Sequence, residues 1–172
     1  MALTLILETG AGLANANSYA TVAESDAYHD GHLYATAWTG ATSGNKAAAL
    51  VMATRLIDAE VQFLGLRTIM TQALQWPRTD VPDPDADAVL ADDALPAVLV
   101  RATCEQARAM LIEDRTSNPM GEGLKFTSLA SNQTSFDKND RRPVLTKLVQ
   151  VMLAKLGSQN SAQSGSVKLL RA

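Results

Sequence analysis

Two histidines, one cysteine and a run of aspartates are the residues of this chain with the means to hold a metal or move a proton. His29 and His32 flank Asp30-Gly31. A zinc centre takes three or four ligands in a tetrahedral array, and no further histidine exists to complete one. Gly31 would also interrupt the helix that has to present the pair. The two histidines therefore read as solvated residues at a helix end, with no metal bound. Asp80, Asp83, Asp85, Asp87, Asp92 and Asp93 supply the oxygens that calcium prefers. Counting from Asp83, however, Ala88 stands where a calcium loop needs its central glycine, and Ala94 where it needs its closing glutamate. The segment reads as a solvated acidic loop that keeps DNA or the wrong partner off one surface. Cys104 falls inside an apolar helical pattern and reads as a buried, inert thiol. A lone cysteine leaves no internal disulfide and suggests a reducing compartment. A Gly-x-Ser-x-Gly elbow, a phosphate-cradling glycine loop and a His-Glu-x-x-His pair are all absent. The expectation is a protein without catalytic residues, cofactor or metal, and not an enzyme.

Charge argues in the same direction. The chain of 172 residues carries 15 Lys and Arg against 18 Asp and Glu, a net charge of −3, and no basic run exceeds Arg141-Arg142. Neutralising phosphates needs a concentration of cations that this sequence lacks. Trp38 and Trp76 could stack on bases, but only Arg78 beside Trp76 pairs an aromatic with a cation, so both tryptophans read as core or interface anchors. Only 19% of residues are charged, which points to some surface being covered by other subunits. No apolar run approaches the ~18 residues that a transmembrane helix needs, and Met1-Ala2-Leu3-Thr4 lacks the positive flank of a signal peptide, so a soluble protein is expected.

The elements that must position these residues follow from period and punctuation. Thr21 and Glu24 have capping-box spacing, so a helix starts near Val22 and stops at Gly31. Residues 46–64 place Ala49, Leu50, Ala53, Leu56, Ile57, Val61 and Leu64 on one helical face, with Gly65 positioned to end the helix. Pro82 and Pro84 exclude a regular helix from residues 80–93. A second long helix begins at Pro96 and runs to about Asp114. Its main face is Leu95, Val98, Leu99, Ala102, Ala109 and Met110, while Val100, Cys104 and Leu111 lie on the far side. A helix apolar nearly all round is central to its fold or contacted on both sides, so Val100, Cys104 and Leu111 are the candidate subunit interface. Weak alternation at 124–129 and 133–136 predicts a small β-hairpin. Asp140 and Pro143 are expected to start a last helix, which ends at Gly157. Residues 158–166 are linker in composition and end in the apolar-basic tip Val167, Lys168, Leu169, Leu170 and Arg171. That tip is a candidate docking arm. The expected fold is mainly α: about four helices as one domain over 1–156, a minor β-hairpin, and flexible N- and C-terminal arms, the latter over 157–172.

Four segments, in order, carry a resemblance. Ala16-Asn17-Ser18-Tyr19 leads into Val22-Ala23-Glu24-Ser25-Asp26-Ala27-Tyr28, and the helix from Ala48 to Asp58 follows. Next comes Gln72-Ala73-Leu74-Gln75-Trp76-Pro77-Arg78-Thr79, an elbow in which Pro77 keeps Trp76 out of the α region and from which Arg78 is expected to leave towards solvent or a neighbour. Last is Leu95-Pro96-Ala97-Val98 running into Ala102-Thr103-Cys104-Glu105. Over residues 13–112 the chain resembles the head-tail connector (adaptor, or head-completion) proteins of tailed bacteriophages, many of which are described as DnaT-like single-stranded-DNA-binding proteins. The resemblance implies a structural virion protein in the neck, assembled in the host cytoplasm. It also implies a ring of twelve copies under the portal protein, contact with the next neck or tail protein, and packaged DNA passing through the lumen without specific binding. Trp76, Pro77 and Arg78 would be a structural anchor, and the C-terminal tip would dock on the portal. The alternative is a single-stranded-DNA-binding accessory of replication.

Overall fold

Thr21 opens the first helix with the predicted reciprocal cap: its Oγ1 accepts from Glu24 N at 3.1 Å, and the Glu24 carboxylate accepts from Thr21 N at 2.7 Å. The helix, α1, spans Val22–Asp30, and a single turn, α2, follows at Thr36–Thr39. Thr42 then caps the long helix α3 (Ser43–Glu60) by accepting from Asn45 N. Strands β1 (Val61–Phe63), β2 (Leu66–Arg67) and β3 (Arg78–Thr79) come next, and the second long helix, α4, covers Ala97–Ile112. Strands β4 (Phe126–Leu129) and β5 (Asn132–Ser135), helix α5 (Lys147–Leu153) and strand β6 (Gly157–Gln159) complete the order. This computed structural model describes residues 3–83, 85–117, 126–129, 132–135 and 142–160.

The expected helical bundle is not what forms. Five helices share the described residues with three two-stranded antiparallel ladders, β1–β6, β2–β3 and β4–β5, so the architecture is mixed α/β. The sequence misleads at residue 61. Val61 and Leu64 extend the apolar face of α3 at helical spacing, yet Val61 and Phe63 are buried with Gln62 exposed between them, which is strand alternation. An apolar run of this length fits either period. Gly65, expected as a helix terminator, instead turns the chain from β1 to β2 at φ +68°, where a Cβ would strike the Thr79 carbonyl.

The C-terminal side differs for a related reason. Thr146 caps α5 by accepting from Val149 N, and the helix is much shorter than the expected span to Gly157. Beyond it β6 pairs with β1 in the register Val61↔Gln159, Gln62↔Ser158 and Phe63↔Gly157. The first residues of the expected arm thus belong to the fold, and Asn160 N donates to Glu60 O at 2.8 Å. The candidate docking residues Val167, Lys168, Leu169, Leu170 and Arg171 lie outside the described residues. The hairpin expected near 124–136 is present as β4 and β5.

Helix α4 separates two apolar clusters. On one side Leu99 and Ala102 meet Tyr19, Ile57, Val61, Trp76, Val149 and Leu153. On the other, Cys104 and Ala107 meet Ala20, Trp38, Leu50 and Ala53. Each fully enclosed Leu or Ile here contributes about 1.5–3 kcal/mol. The small residues Ala53, Ala102 and Ala107 are all fully buried and let α3 and α4 approach closely.

Candidate functional site: a buried elbow and the surfaces around it

The Trp76-Pro77-Arg78 elbow is fixed from three directions. Trp76 has no exposed surface, and the Phe63 ring meets it edge-on with centroids 5.8 Å apart. Its peptide bond to Pro77 is cis. The Tyr19 hydroxyl accepts from Trp76 N at 3.1 Å and donates to Asp58 Oδ1 at 2.6 Å, while Asp58 Oδ2 accepts from Gln75 N at 3.0 Å. Burial pushes the Asp58 carboxyl up to about 6. Burial, followed by the neighbouring Asp58 charge, raises the Tyr19 hydroxyl well above its ordinary value. Gln72 braces the elbow from below, donating from Nε2 to Leu74 O and Pro77 O and accepting from Ile69 N.

Arg78 does not leave towards solvent. It is 8% exposed and turns back into the fold. Its guanidinium donates to the carbonyls of Leu64 (2.6 Å), Gly65 (2.6 Å), Gln75 (3.1 Å) and Phe63 (3.4 Å), and to Gln75 Oε1. These carbonyls belong to the β1–β2 turn and to the elbow, which have few backbone partners of their own. One planar fork of donors satisfies them together. The sequence signal was the residue type: a lysine could not have reached this set.

A second internal network joins α1 to α4. His29 is buried, against the expectation of a solvated histidine. Its Nε2 lies 3.2 Å from Cys104 O, and its ring packs against Trp38 at 5.1 Å between centroids. Burial pushes its pKa down, and Nδ1 has no partner among the described residues. The Tyr28 hydroxyl donates to Glu105 Oε1 at 3.1 Å, and Arg108 pairs with Glu105 Oε2 at 2.9 Å. His32 stands 3.9 Å from the same carboxylate. Cys104 is enclosed and its thiol is pushed up to about 11 by burial, which leaves it unreactive. Among the described residues no group of three His, Cys, Asp or Glu converges as a metal site.

The candidate interface Val100, Cys104 and Leu111 does not form one surface. Cys104 is sealed inside, and Val100 is half-buried against the same cluster. This far side of α4 is covered by α1 and α2 of its own chain, which explains the all-round apolarity without a second subunit. Leu111 is half-buried against the same cluster and also borders a groove of about 410 Å³ between α3 and α4 that Ala48, Met52, Met110 and Asp114 line.

One buried carboxylate was not singled out from the sequence. Glu8, 1% exposed, accepts from the backbone N–H groups of Gly10 (3.0 Å), Gly12 (2.9 Å) and Leu13 (2.8 Å). It shapes the N-terminal loop that Ile69 packs upon. An acidic residue two positions before the first of two closely spaced glycines was the available signal.

The surface cations are largely committed. Lys46 pairs with Asp26, Arg108 with Glu105, Arg115 and Arg142 with Glu113, and Lys155 with Asp85. Lys46 also sits 5.4 Å from the Trp38 ring centre. Both tryptophans are fully enclosed and present no face to a base. No described helix is long and apolar enough to cross a membrane. No curated protein and no solved structure matches the chain. Its relationship comes from a family profile that extends over nearly its whole length: the chain belongs to the family described as "Putative DnaT-like ssDNA binding protein", matched over residues 3–172.

Proposed function

We propose that this chain is a structural subunit that works through protein contacts, as a head-tail connector does: copies form a ring under the portal, join capsid to tail and extend the DNA channel. The observation that carries this reading is the state of the cations. Of the ten Lys and Arg among the described residues, five are in ion pairs with carboxylates, and Arg78 is spent on backbone carbonyls. The exposed Arg67 donates to the carbonyls of Gln72 and Met70, and the exposed Arg55, Arg101 and Lys147 stand on three different helices. Among the described residues these cations form no continuous track to a phosphate backbone, and an acidic ring would let packaged DNA slide. Portal protein, neighbouring copies and the next neck or tail protein are the partners of this reading, and the neck of the virion is its location.

The family description favours a second reading, binding of single-stranded DNA, and it speaks for that reading more directly than for a connector. Charge distribution lends it some support. The chain carries −3 overall but −6 between residues 80 and 93, so the remainder is +3.

Fluorescence anisotropy with a labelled oligothymidylate, at low and physiological salt, separates the two. A DNA binder loses affinity with a logarithmic slope of about −0.7 per phosphate neutralised. The connector reading predicts no measurable binding at physiological salt, together with co-purification of the chain with its portal protein. Tight, salt-dependent oligonucleotide binding without portal association refutes it. Removing residues 161–172, which leaves β6 in place, tests the arm: portal association that survives this truncation assigns docking elsewhere.

A further inference from the structure

The apolar surfaces open among the described residues include two unlike ones. The first is the groove between α3 and α4, floored by Ala48, Met52, Met110 and Leu111, with Asp114 at one end. The second is the outer stripe of α5. Its inward residues Val149 and Leu153 are enclosed in the core, whereas Leu148 is 51% and Val151 64% exposed. Leu148 and Val151 are three residues apart and share a face, and Lys147, one turn before Val151, shares it with them. Neither outward residue is needed by the subunit's own core.

We propose that these surfaces are the two halves of one contact: the Lys147–Leu148–Val151 stripe of one copy seats in the α3–α4 groove of the next. Three properties of the surfaces support the match. Each is an apolar patch with a charge at one end, and the charges are opposite, Lys147 on the ridge and Asp114 on the groove. The ridge is a short helix with two protruding aliphatic side chains, the shape that a groove between two helices accepts. The groove is floored by two methionines, whose unbranched, polarisable side chains mould to an incoming surface. Because ridge and groove are different patches of the same chain, the contact is heterologous and repeats head to tail, generating a ring or an open filament. The proposal rests on the connector reading for its purpose, but copy-to-copy contact can be measured without any portal.

The test uses the full chain with cysteines placed on the two surfaces, Ala48→Cys in the groove and Val151→Cys on the ridge, and a short bis-maleimide as cross-linker. Both positions border solvent, and the enclosed native Cys104 contributes no background. The double variant is expected to give a ladder of dimers and larger species. An equal mixture of the two single variants is expected to give dimers and nothing larger, and each single variant alone no cross-linked dimer. Adding Leu148→Asp, an exposed substitution that leaves the core untouched, is expected to cut the ladder at least about tenfold. Absence of the ladder overturns the proposal. So does cross-linking of either single variant to itself, which indicates a two-fold contact instead. A positive ladder with no portal association keeps this contact and removes the connector reading. Portal association without a ladder does the reverse.

Discussion

Asp58 gives the sharpest quantitative prediction. Its carboxylate is largely enclosed at the junction of α3, the N-terminal segment and the elbow, and burial pushes it up to about 6 from an ordinary value of 3.8. The folded state thus holds its proton more tightly than the unfolded chain. Between pH 4 and 6 the native state binds more protons, so the Asp58 contribution to stability falls as pH rises through this window and is flat above about pH 7. The full span is about 3 kcal/mol, at 1.36 kcal/mol for each unit of separation. Between pH 4.5 and 7.5 about 2 kcal/mol of it is expressed. Other carboxylates run the opposite way: Asp26, held below its ordinary value first by the Lys46 hydrogen bond, loses that stabilisation on acidification. The quantity to measure is therefore a difference. Asp58→Asn cannot titrate. Its Oδ1 can still accept from the Tyr19 hydroxyl, but its amide nitrogen faces the Gln75 N–H, a loss independent of pH. Urea unfolding followed by tryptophan fluorescence, on both proteins at pH 4.5 and 7.5, should show wild type gaining about 2 kcal/mol on the variant at the lower pH. Parallel stabilities at the two pH values would refute the assignment of a desolvated carboxylate to this junction.

Two further substitutions probe the polar framework by the same unfolding assay. Arg78→Lys keeps the charge but cannot reach four carbonyls, so a loss of about 2–4 kcal/mol is expected, and a change below about 1 kcal/mol contradicts the role given to its guanidinium. Glu8→Gln leaves one acceptor oxygen where a carboxylate served three N–H groups, and about 2–3 kcal/mol should be lost; hydrogen exchange at Gly10, Gly12 and Leu13 should quicken before that of α4.

The helices were legible where a local signal sufficed. Thr21 with Glu24, Pro96 at the head of α4 and the period of residues 49–57 each fix an element within a turn of the chain. The short ladders were not legible, because their partners are remote. Val61–Phe63 becomes a strand by pairing with residues 157–159, nearly a hundred positions away, and nothing local distinguishes that outcome from one more helical turn. Arg78 was misread for the same reason. Exposure was assumed from charge, whereas the carbonyls that draw it inward exist only once β1 and the turn at Gly65 have formed. His29 was taken as solvated because Trp38 and Cys104, which enclose it, lie nine and seventy-five residues further along the chain. Cys104 is enclosed and Val100 half-buried because α1 and α2, elements of the same chain, pack on that face.

The segments that carry the family resemblance now have a physical account. Tyr19, Asp58 and the Gln75-Trp76 peptide come from three of them and meet in one hydrogen-bonded junction. Tyr28 from the α1 segment reaches Glu105 in the last. Residues so far apart in sequence, each unsatisfied without the others, form a set that must be kept together or lost together, since an orphaned buried group costs about 1–3 kcal/mol. Such a motif specifies an interior. It follows that these residues serve the fold of this chain. The copy-to-copy contact proposed above uses other side chains: the ridge at Leu148 and Val151 and the groove at Met52 and Met110. Changing Leu148 or Ala48 should therefore alter association while leaving unfolding free energy within about 0.5 kcal/mol of wild type, whereas changing Tyr19 or Asp58 should do the opposite.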